Sequence, residues 1–526
     1  MSDPSSLLDS HLEIETQAGD AVARAMPEPR VPGLTVLYHP NLERIGDRVV
    51  LTQLAAGREQ RVSRLEPLFA APGSAHGLPL ASPFLSRRPL VFLPAPHGGL
   101  RLRAPEVSHS VMVDGEPLGG EHEVTADRIA RGVVLLLASQ VVLLLSLLDP
   151  SGLPGGPALG LVGASSAVER LRREIVRLAD LEVPVLLQGE TGSGKELVAR
   201  ALHAASGRKG PLVAVNLGAI PPSLAVAELF GALPGAFTGA HRGQPGYFRR
   251  AHRGTLFLDE VGEAPLELQA ILLRVLETSE IQALGSAQPE RVDVRVVCAT
   301  DRALDAEVEA GRFRAPLLYR LSAARIVVPS LAERREDFGR LLVHFLRHEA
   351  TLCGESARLT GQAAETKPWL PALLVARLAL CDWPGNVREL ANTVRQLVIS
   401  GRGRDTIEAP PELPPRKVTS APLPPTPRSP RRPREVGEDE LLAALADYGG
   451  DLQRTADALG IRRASLYNLI RRSGRARTAA DLEAAEILAG HARHGGDLDR
   501  LAAELGVSRR GLRRRMSQLD LNLDLD

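Results

Sequence analysis

The pattern of apolar and polar positions changes character along the chain. From about Leu34 to Leu148, short apolar runs (TVLYHP, RVVLT, RPLVFLP, LRLR, SVMVDGEPL) alternate with turn residues, and helical periodicity is nearly absent. That pattern predicts an all-β sandwich. From about Leu161 to Ile407, strand-like runs (VPVLLQG, PLVAVNL, TLFLDEV, VRVVCAT) alternate with helical stretches, as in an α/β domain on a parallel sheet. Residues 408–435 are rich in proline and arginine and predict an extended linker with no core of its own. Beyond it the pattern is helical.

One run invites a membrane reading. Residues 133–148, VVLLLASQVVLLLSLL, are strongly apolar, but Ser139 and Gln140 interrupt them. The run is also shorter than the roughly 20 residues a spanning helix needs. Two buried strands joined by a turn fit it better. The opening MSDPSSLLDSHLEIETQAGD is acidic and polar, unlike a secretory signal, and a cytoplasmic location is expected.

Composition refines the picture at two points. The 64 Lys+Arg against 63 Asp+Glu give a net charge of +1, so affinity for nucleic acid has to come from local clustering of basic residues. Cys298, Cys353 and Cys381 are far apart and lack the paired spacings of a zinc site or disulfide framework, which fits a reducing compartment.

The basic clustering sits in a C-terminal repeat. GGDLQRTADALGI begins at Gly449 and GGDLDRLAAELGV at Gly495, a period of 46 residues, with leucine and alanine positions superimposing. In the first copy, a turn at Leu459-Gly460-Ile461 leads to a helix carrying Arg462, Arg463, Ser465, Asn468, Arg471 and Arg472. Helix-turn-helix proteins lay such a helix in the major groove, arginine and asparagine reading bases and the others binding phosphates. The second copy carries Arg509, Arg510, Arg513, Arg514 and Arg515, and so many arginines favour salt-sensitive phosphate contacts. Both copies are expected to bind double-stranded DNA.

The central region carries the chemistry. VLLQGETGSGKE places GxxxxGK after an apolar strand and before the helical ELVARALH. Gly189, Glu190, Thr191, Gly192, Ser193, Gly194 and Lys195 then form a phosphate loop, with backbone N–H groups around the phosphates and Lys195 on the terminal ones. Glu196 stands where a magnesium-binding Ser or Thr is usual, so another ligand has to hold Mg²⁺. TLFLDEVGE supplies it: Asp259 near the metal, and Glu260 to polarise the attacking water. ATP hydrolysis is the expected chemistry.

In this order, GETGSGKE, GAFTGA, GTLFLDEVGE, LQAILLRVLE, FRAPLLYRL and WPGNVREL resemble the AAA+ module of bacterial sigma-54-dependent transcription activators, the enhancer-binding proteins. The resemblance covers about Leu161 to Ile407. It implies a hexameric ATPase that remodels the closed complex of sigma-54 RNA polymerase, with Gly235, Ala236, Phe237, Thr238, Gly239 and Ala240 as the loop that touches sigma-54. It further implies that Arg314 and Arg320 reach the nucleotide of a neighbouring subunit. Arg388 matches the sensor arginine of the lid, and Asn216 the residue that restrains Glu260 until nucleotide is sensed. The 452–474 segment resembles the Fis-type helix-turn-helix of the same activators.

Three departures stand out. CATD occurs where the family has AATN, putting Asp301 near the phosphates; Pro316 sits between the two arginines in place of an acid; and ELFGALPGAFTGA lacks the charges that usually precede the loop. They motivate an alternative, a DNA-binding regulator with a nucleotide-sensing, weakly hydrolysing core. The β-rich region resembles a forkhead-associated (FHA) domain, in which Arg64, Ser86, Arg87 and Asp114 surround a phosphothreonine, implying a phosphoprotein or Ser/Thr kinase as partner.

The expected architecture is multidomain. Residues 1–30 form a tail, 31–150 an FHA-like sandwich, and 158–407 an α/β AAA+ P-loop ATPase with a helical lid from about 332. After the 408–435 linker come an all-α Fis-type helix-turn-helix at 436–475 and a second at 478–520.

Overall fold

The computed structural model describes residues 30–104, 111–150, 156–235, 243, 245–360, 368–408 and 437–447, followed by 455–456, 459, 466, 469–470, 473, 482–494, 498–505, 512–513, 515–516, 519 and 521. The chain divides into two units, Met1–Lys417 and Val418–Asp526.

The first unit begins with a β-sandwich, as the alternation of short apolar runs predicts. Its strands are β1 (Val31–Tyr38), β2 (Arg48–Val50), β3 (Gln60–Val62), β4 (Phe69–Ala70), β5 (Gly77–Leu78), β6 (Leu90–Pro94), β7 (Leu100–Arg103), β8 (Val111–Val113), β9 (Glu116–Pro117), β10 (Glu121–Val124), β11 (Val133–Leu137) and β12 (Val141–Leu148). One sheet runs β5-β4-β2-β1-β12-β11-β8-β9 and the other β10-β7-β6-β3. The run that resembled a membrane segment is the antiparallel pair β11–β12, turning at Ala138 and Ser139, both with positive φ. Among the described residues, no helix is long and apolar enough to cross a membrane.

The α/β domain has five parallel strands, β13 (Val185–Gln188), β14 (Leu212–Asn216), β15 (Thr255–Asp259), β18 (Arg295–Thr300) and β19 (Ala324–Val327), in the order β14-β15-β18-β13-β19. A small ribbon, β16 (Glu280–Ile281) and β17 (Glu290–Arg291), stands apart. The long helices of this part are α1 (Ser166–Leu178), α2 (Lys195–Ala205), α3 (Pro222–Phe230), α4 (Leu266–Thr278) and α5 (Ala315–Leu321). Strands buried on both faces explain the unbroken apolar runs of β13, β15 and β18. A helical lid follows: α6 (Phe338–Leu352), α7 (Ala372–Ala379) and α8 (Asn386–Ser400).

The sandwich is fused to this lid by a shared core. In β11 and β12, Val133, Leu135, Val141, Leu143 and Leu145 face the sandwich interior. The alternate residues Val134, Leu136, Val142 and Leu144 join Phe338, Leu342, Leu374, Val375 and Leu378 of the lid. Both faces of the hairpin are therefore buried, which is why its sequence is apolar at nearly every position. Polar contacts frame the seam: the Tyr38 hydroxyl donates to the Leu370 carbonyl at 2.6 Å, and Arg335 donates to the carbonyls of Arg131 (2.7 Å) and Ala379 (2.6 Å).

In the second unit, α9 (Glu438–Asp447), α10 (Ala484–His494) and α11 (Leu498–Glu504) accompany two small cores. Leu441, Ala456, Leu466 and Ile470 are buried in one; Ile487, Ala502, Leu512 and Met516 are buried in the other, at the same 46-residue offset as the sequence repeat. The repeat is thus a repeat of core positions.

Candidate nucleotide site

The phosphate loop leaves β13 at Gln188 and enters α2 at Lys195, with Gly192 (φ +73°) and Gly194 (φ +107°) in backbone regions that favour glycine. The N-terminus of α2, with its unpaired N–H groups and positive dipole end, is a suitable partner for anions. Lys195 folds back, its Nζ donating to the carbonyls of Gly189 (2.7 Å) and Glu190 (3.2 Å). Partial burial depresses its pKa, and the nearby Asp259, Asp301 and Glu260 oppose that shift.

A cavity of about 320 Å³ lies beside this loop. It is lined by Thr191, Gly192, Gly194, Lys195 and Glu196 from the loop and α2, by Asn216, Asp259, Glu260 and Asp301 from the strand ends, and by Phe345, Val387, Arg388 and Ala391 from the lid. Ligands of open parallel sheets bind outside the carboxyl ends of the strands, where this cavity lies. Of the residues expected at the nucleotide, Thr191, Gly192, Gly194, Lys195, Glu196, Asn216, Asp259, Glu260, Asp301 and Arg388 come together here. Gly189, Glu190 and Ser193 belong to the loop but not to the lining, and Arg314 and Arg320 stand outside the cavity.

The two adjacent acids are held differently. Asp259 ends β15 and accepts the Glu260 N–H at 3.0 Å; burial raises its pKa, opposed by that hydrogen bond and by Lys195. A cation at Asp259 would offset the cost of burying its charge. Glu260 takes a left-handed backbone (φ +55°), which turns its carboxylate toward Gly218: a Cβ there would lie 2.4 Å from Glu260 Oε2 and 3.3 Å from Asn216 Oδ1. Asn216 and Glu260 therefore flank the same glycine. Among the described residues no group of three or more His, Cys, Asp or Glu is arranged to hold a metal. Mg²⁺ needs no such cluster, because one or two carboxylates, phosphate oxygens and water suffice for it. The donor set present fits ATP with Mg²⁺ at Asp259.

Several expected residues also make contacts of their own. Glu196 pairs with Arg200 on the exposed face of α2 (2.6 Å). Asp301 lies 3.4 Å from the Thr191 hydroxyl. Arg314, which precedes α5, and Arg320, on α5, are exposed and donate to the carbonyls of Leu266 (3.2 Å) and Leu276 (2.9 Å) of α4. Sequence reasoning missed Gln269, wholly buried, which accepts the Arg314 N–H at 2.8 Å and donates to the Arg312 carbonyl at 2.9 Å, fixing the turn that presents Arg314. It also missed Asn386 and Phe345 of the lid. Gly235 (φ +82°) begins the GAFTGA loop; Ala236, Phe237, Thr238, Gly239 and Ala240 lie outside the described residues. The base of that loop is tied down, Leu233 donating to Leu284 and Leu284 to Gly231, each at 2.9 Å.

In the sandwich, Arg64 N–H donates to the Ser86 carbonyl at 3.2 Å, and Ser86 and Arg87 are exposed. Asp114 has another occupation: one oxygen pairs with Arg128 and the other accepts the Val134 N–H at 2.8 Å. In the C-terminal unit Arg513 is exposed, whereas Arg515 donates to the Leu482 carbonyl at 3.0 Å. Arg462, Arg463, Ser465, Asn468, Arg471, Arg472, Arg509, Arg510 and Arg514 lie outside the described residues or their described side chains.

Residues 161–327 match the sigma-54 interaction domain, 332–422 the AAA+ ATPase lid domain, and 478–519 the bacterial regulatory protein, Fis family. The Fis match falls on the second copy of the repeat. The transcriptional regulatory protein ZraR of Escherichia coli (strain K12) is 43% identical over 310 residues, 58% of this chain and 67% of that protein. The DNA-binding transcriptional regulator NtrC of Salmonella typhimurium (strain LT2) is 43% identical over 275 residues, 51% of this chain and 56% of that protein. This chain thus spans about two thirds of ZraR and just over half of NtrC. The crystal structure of NtrX from Brucella abortus in complex with ATP is 35% identical, covering 60% of this chain and 69% of that one, with a TM-score of 0.41.

Proposed function

We propose, from the premise that this chain belongs to the family of sigma-54-dependent transcription activators, that it hydrolyses ATP to remodel sigma-54 RNA polymerase from closed to open complexes. The observation that carries the reading is the cavity in which the phosphate loop, Asp259, Glu260 and the lid residue Arg388 meet. Glu260 acts as the general base on water, and Lys195 and Arg388 hold phosphate charge. Mg²⁺ at Asp259 would neutralise further phosphate charge when bound.

Arg314 and Arg320 act in trans. Their exposure at the start and end of α5, outside their own cavity, supports a hexamer in which each subunit completes its neighbour's site. The 235–240 loop touches sigma-54, and the C-terminal unit holds upstream DNA through one or both copies of the repeat. The sandwich is the input domain; its exposed Ser86 and Arg87, beside Arg64, suit a phosphothreonine peptide offered by a kinase or its substrate. Asp114 supports the fold of that domain rather than the phosphate. The working compartment is the cytoplasm.

A second reading rests on Asp301, an acid at the phosphate loop that disfavours phosphate charge and leaves a nucleotide-sensing core with weak hydrolysis. One experiment addresses both: open-complex formation by sigma-54 polymerase on supercoiled DNA, run with wild type, Glu260→Gln and Thr238→Ala. The activator reading expects opening by wild type alone, with ATPase activity that rises with protein concentration. Opening by Glu260→Gln, or by wild type without ATP, would reject it. Wild type that binds ATP without turning it over and opens no DNA supports the second reading.

A further inference from the structure

The phosphate loop turns several of its carbonyls into the lid. The main-chain N–H groups of Val387 and Arg388 both donate to Gly192 O, at 3.1 and 3.3 Å, and the buried Arg334 guanidinium donates to Ser193 O at 3.0 Å. Thr191 O accepts from the Asn386 side chain at 3.0 Å. Because a trans peptide points its C=O and the following N–H in opposite directions, holding the carbonyls of Thr191 and Ser193 in the lid turns the N–H groups of Gly192 and Gly194 the other way. Those are the donors a phosphate loop works with. Gly192 also permits the close approach, since a Cβ there would lie 2.2 Å from the Gly385 carbonyl oxygen.

Asn386 stands at the centre of this contact. It is 1% exposed, has a left-handed backbone (φ +53°), and uses both ends of its amide. Oδ1 accepts the Leu331 N–H at 2.8 Å, at the entry to the lid; Nδ2 donates to Glu190 Oε2 at 2.9 Å and to Thr191 O at 3.0 Å. The Leu331 N–H can meet only an oxygen, which fixes the orientation of the amide. One side chain therefore joins the lid entry, the lid turn and the phosphate loop.

We propose that Asn386 is a positioning residue through which the lid sets the phosphate loop, with Glu190 as its partner, so that lid orientation and phosphate affinity are coupled through this amide. The proposal rests on the nucleotide-binding reading of the cavity. No other side chain can supply the same three bonds from this position: aspartate loses both donors and faces Glu190 with a like charge, and alanine leaves buried groups unpaired.

The test uses the full chain with ADP as probe, comparing wild type, Asn386→Asp, Glu190→Gln and the double variant by calorimetric titration. Amide exchange at Gly192 and Gly194 and thermal melting accompany each titration. In Asn386→Asp the dissociation constant for ADP is expected to rise about tenfold or more, with faster exchange at the two glycines. In the double variant the amide introduced at position 190 donates to the carboxylate introduced at position 386, and at least half of that loss, on a logarithmic scale, is expected to return. ADP binding by Asn386→Asp at the wild-type level overturns the proposal. So does a loss that follows the melting temperature and is not recovered by Glu190→Gln. Wild type that fails to bind ADP overturns the nucleotide reading itself, an outcome distinct from the other two.

Discussion

The lid has two working faces, and they are built on opposite principles. Toward the β-sandwich it presents Phe338, Leu342, Leu374, Val375 and Leu378 to an equally apolar hairpin face. Toward the phosphate loop it presents Asn386, Arg334 and main-chain N–H groups to carbonyl oxygens and a carboxylate. Apolar burial is non-directional and grows with area, so the first contact is strong and tolerates small rotations. Hydrogen bonds are directional, and buried groups that lose them go unpaired, so the second contact holds the lid to a particular angle. The sandwich is thus held to the lid by area, and the lid to the phosphate loop by angle.

The largest effect is expected at the apolar face. Leu144 is 1% exposed, on the lid side of β12. Leu144→Asp buries a carboxylate with no cation assigned to it, and a loss on the order of 4 kcal/mol or more is expected. Denaturation followed by the fluorescence of the lid's Trp369 and Trp383, and separately by amide exchange in the sandwich strands, provides the check. If the two parts form one body, both transitions move together. A mutant that melts like wild type would show the hairpin to be only loosely apposed to the lid.

How much of this was legible in the sequence depends on which force dominates. The phosphate loop, Asp259, Glu260 and Arg388 were legible because phosphate chemistry requires those residue types at short, fixed spacings, and they do line one cavity. The sandwich and its β11–β12 hairpin followed from alternation and turn residues. The second burial of that hairpin did not. An apolar run reports that both faces are covered, but not by what, and the lid residues that cover it lie some 200 positions away. Gln269 and Asn386 were missed for a related reason: a buried amide is defined by its partners, and those partners are mostly main-chain groups that carry no sequence signal.

A smaller effect concerns charge at the edge of the apolar seam. Glu336 precedes α6, and burial, reinforced by Asp337, raises its pKa to about 7, against the opposing pull of Arg48 and Arg30 and a hydrogen bond from the Ser166 main chain. A carboxyl group with a raised folded-state pKa binds more protons folded than unfolded, so its contribution is fully present below about pH 4.5 and is lost as pH rises through about 7. Glu336→Gln is expected to remove that part of the slope and to stabilise the protein at pH 8 by up to ~3 kcal/mol. Chemical denaturation at pH 5 and pH 8 measures it. An unchanged slope would mean that Glu336 is well solvated and that the seam ends before it.

The smallest effect sharpens the boundary between the two kinds of contact. Tyr38 belongs to the apolar seam by its ring and to the polar kind by its hydroxyl, which is buried and donates to Leu370 O at 2.6 Å. Tyr38→Phe keeps the ring and leaves that carbonyl without this donor, so a loss of about 1 kcal/mol is expected. If the seam is held mainly by area, ADP affinity should stay at the wild-type level despite that loss, because the lid keeps its orientation. Should ADP affinity fall together with stability, the single hydroxyl sets the angle of the lid as well as adding to its hold. The sandwich would then reach the phosphate loop through a directional contact at Leu370, and the division of the lid into a face held by area and a face held by angle would have to be redrawn around Tyr38.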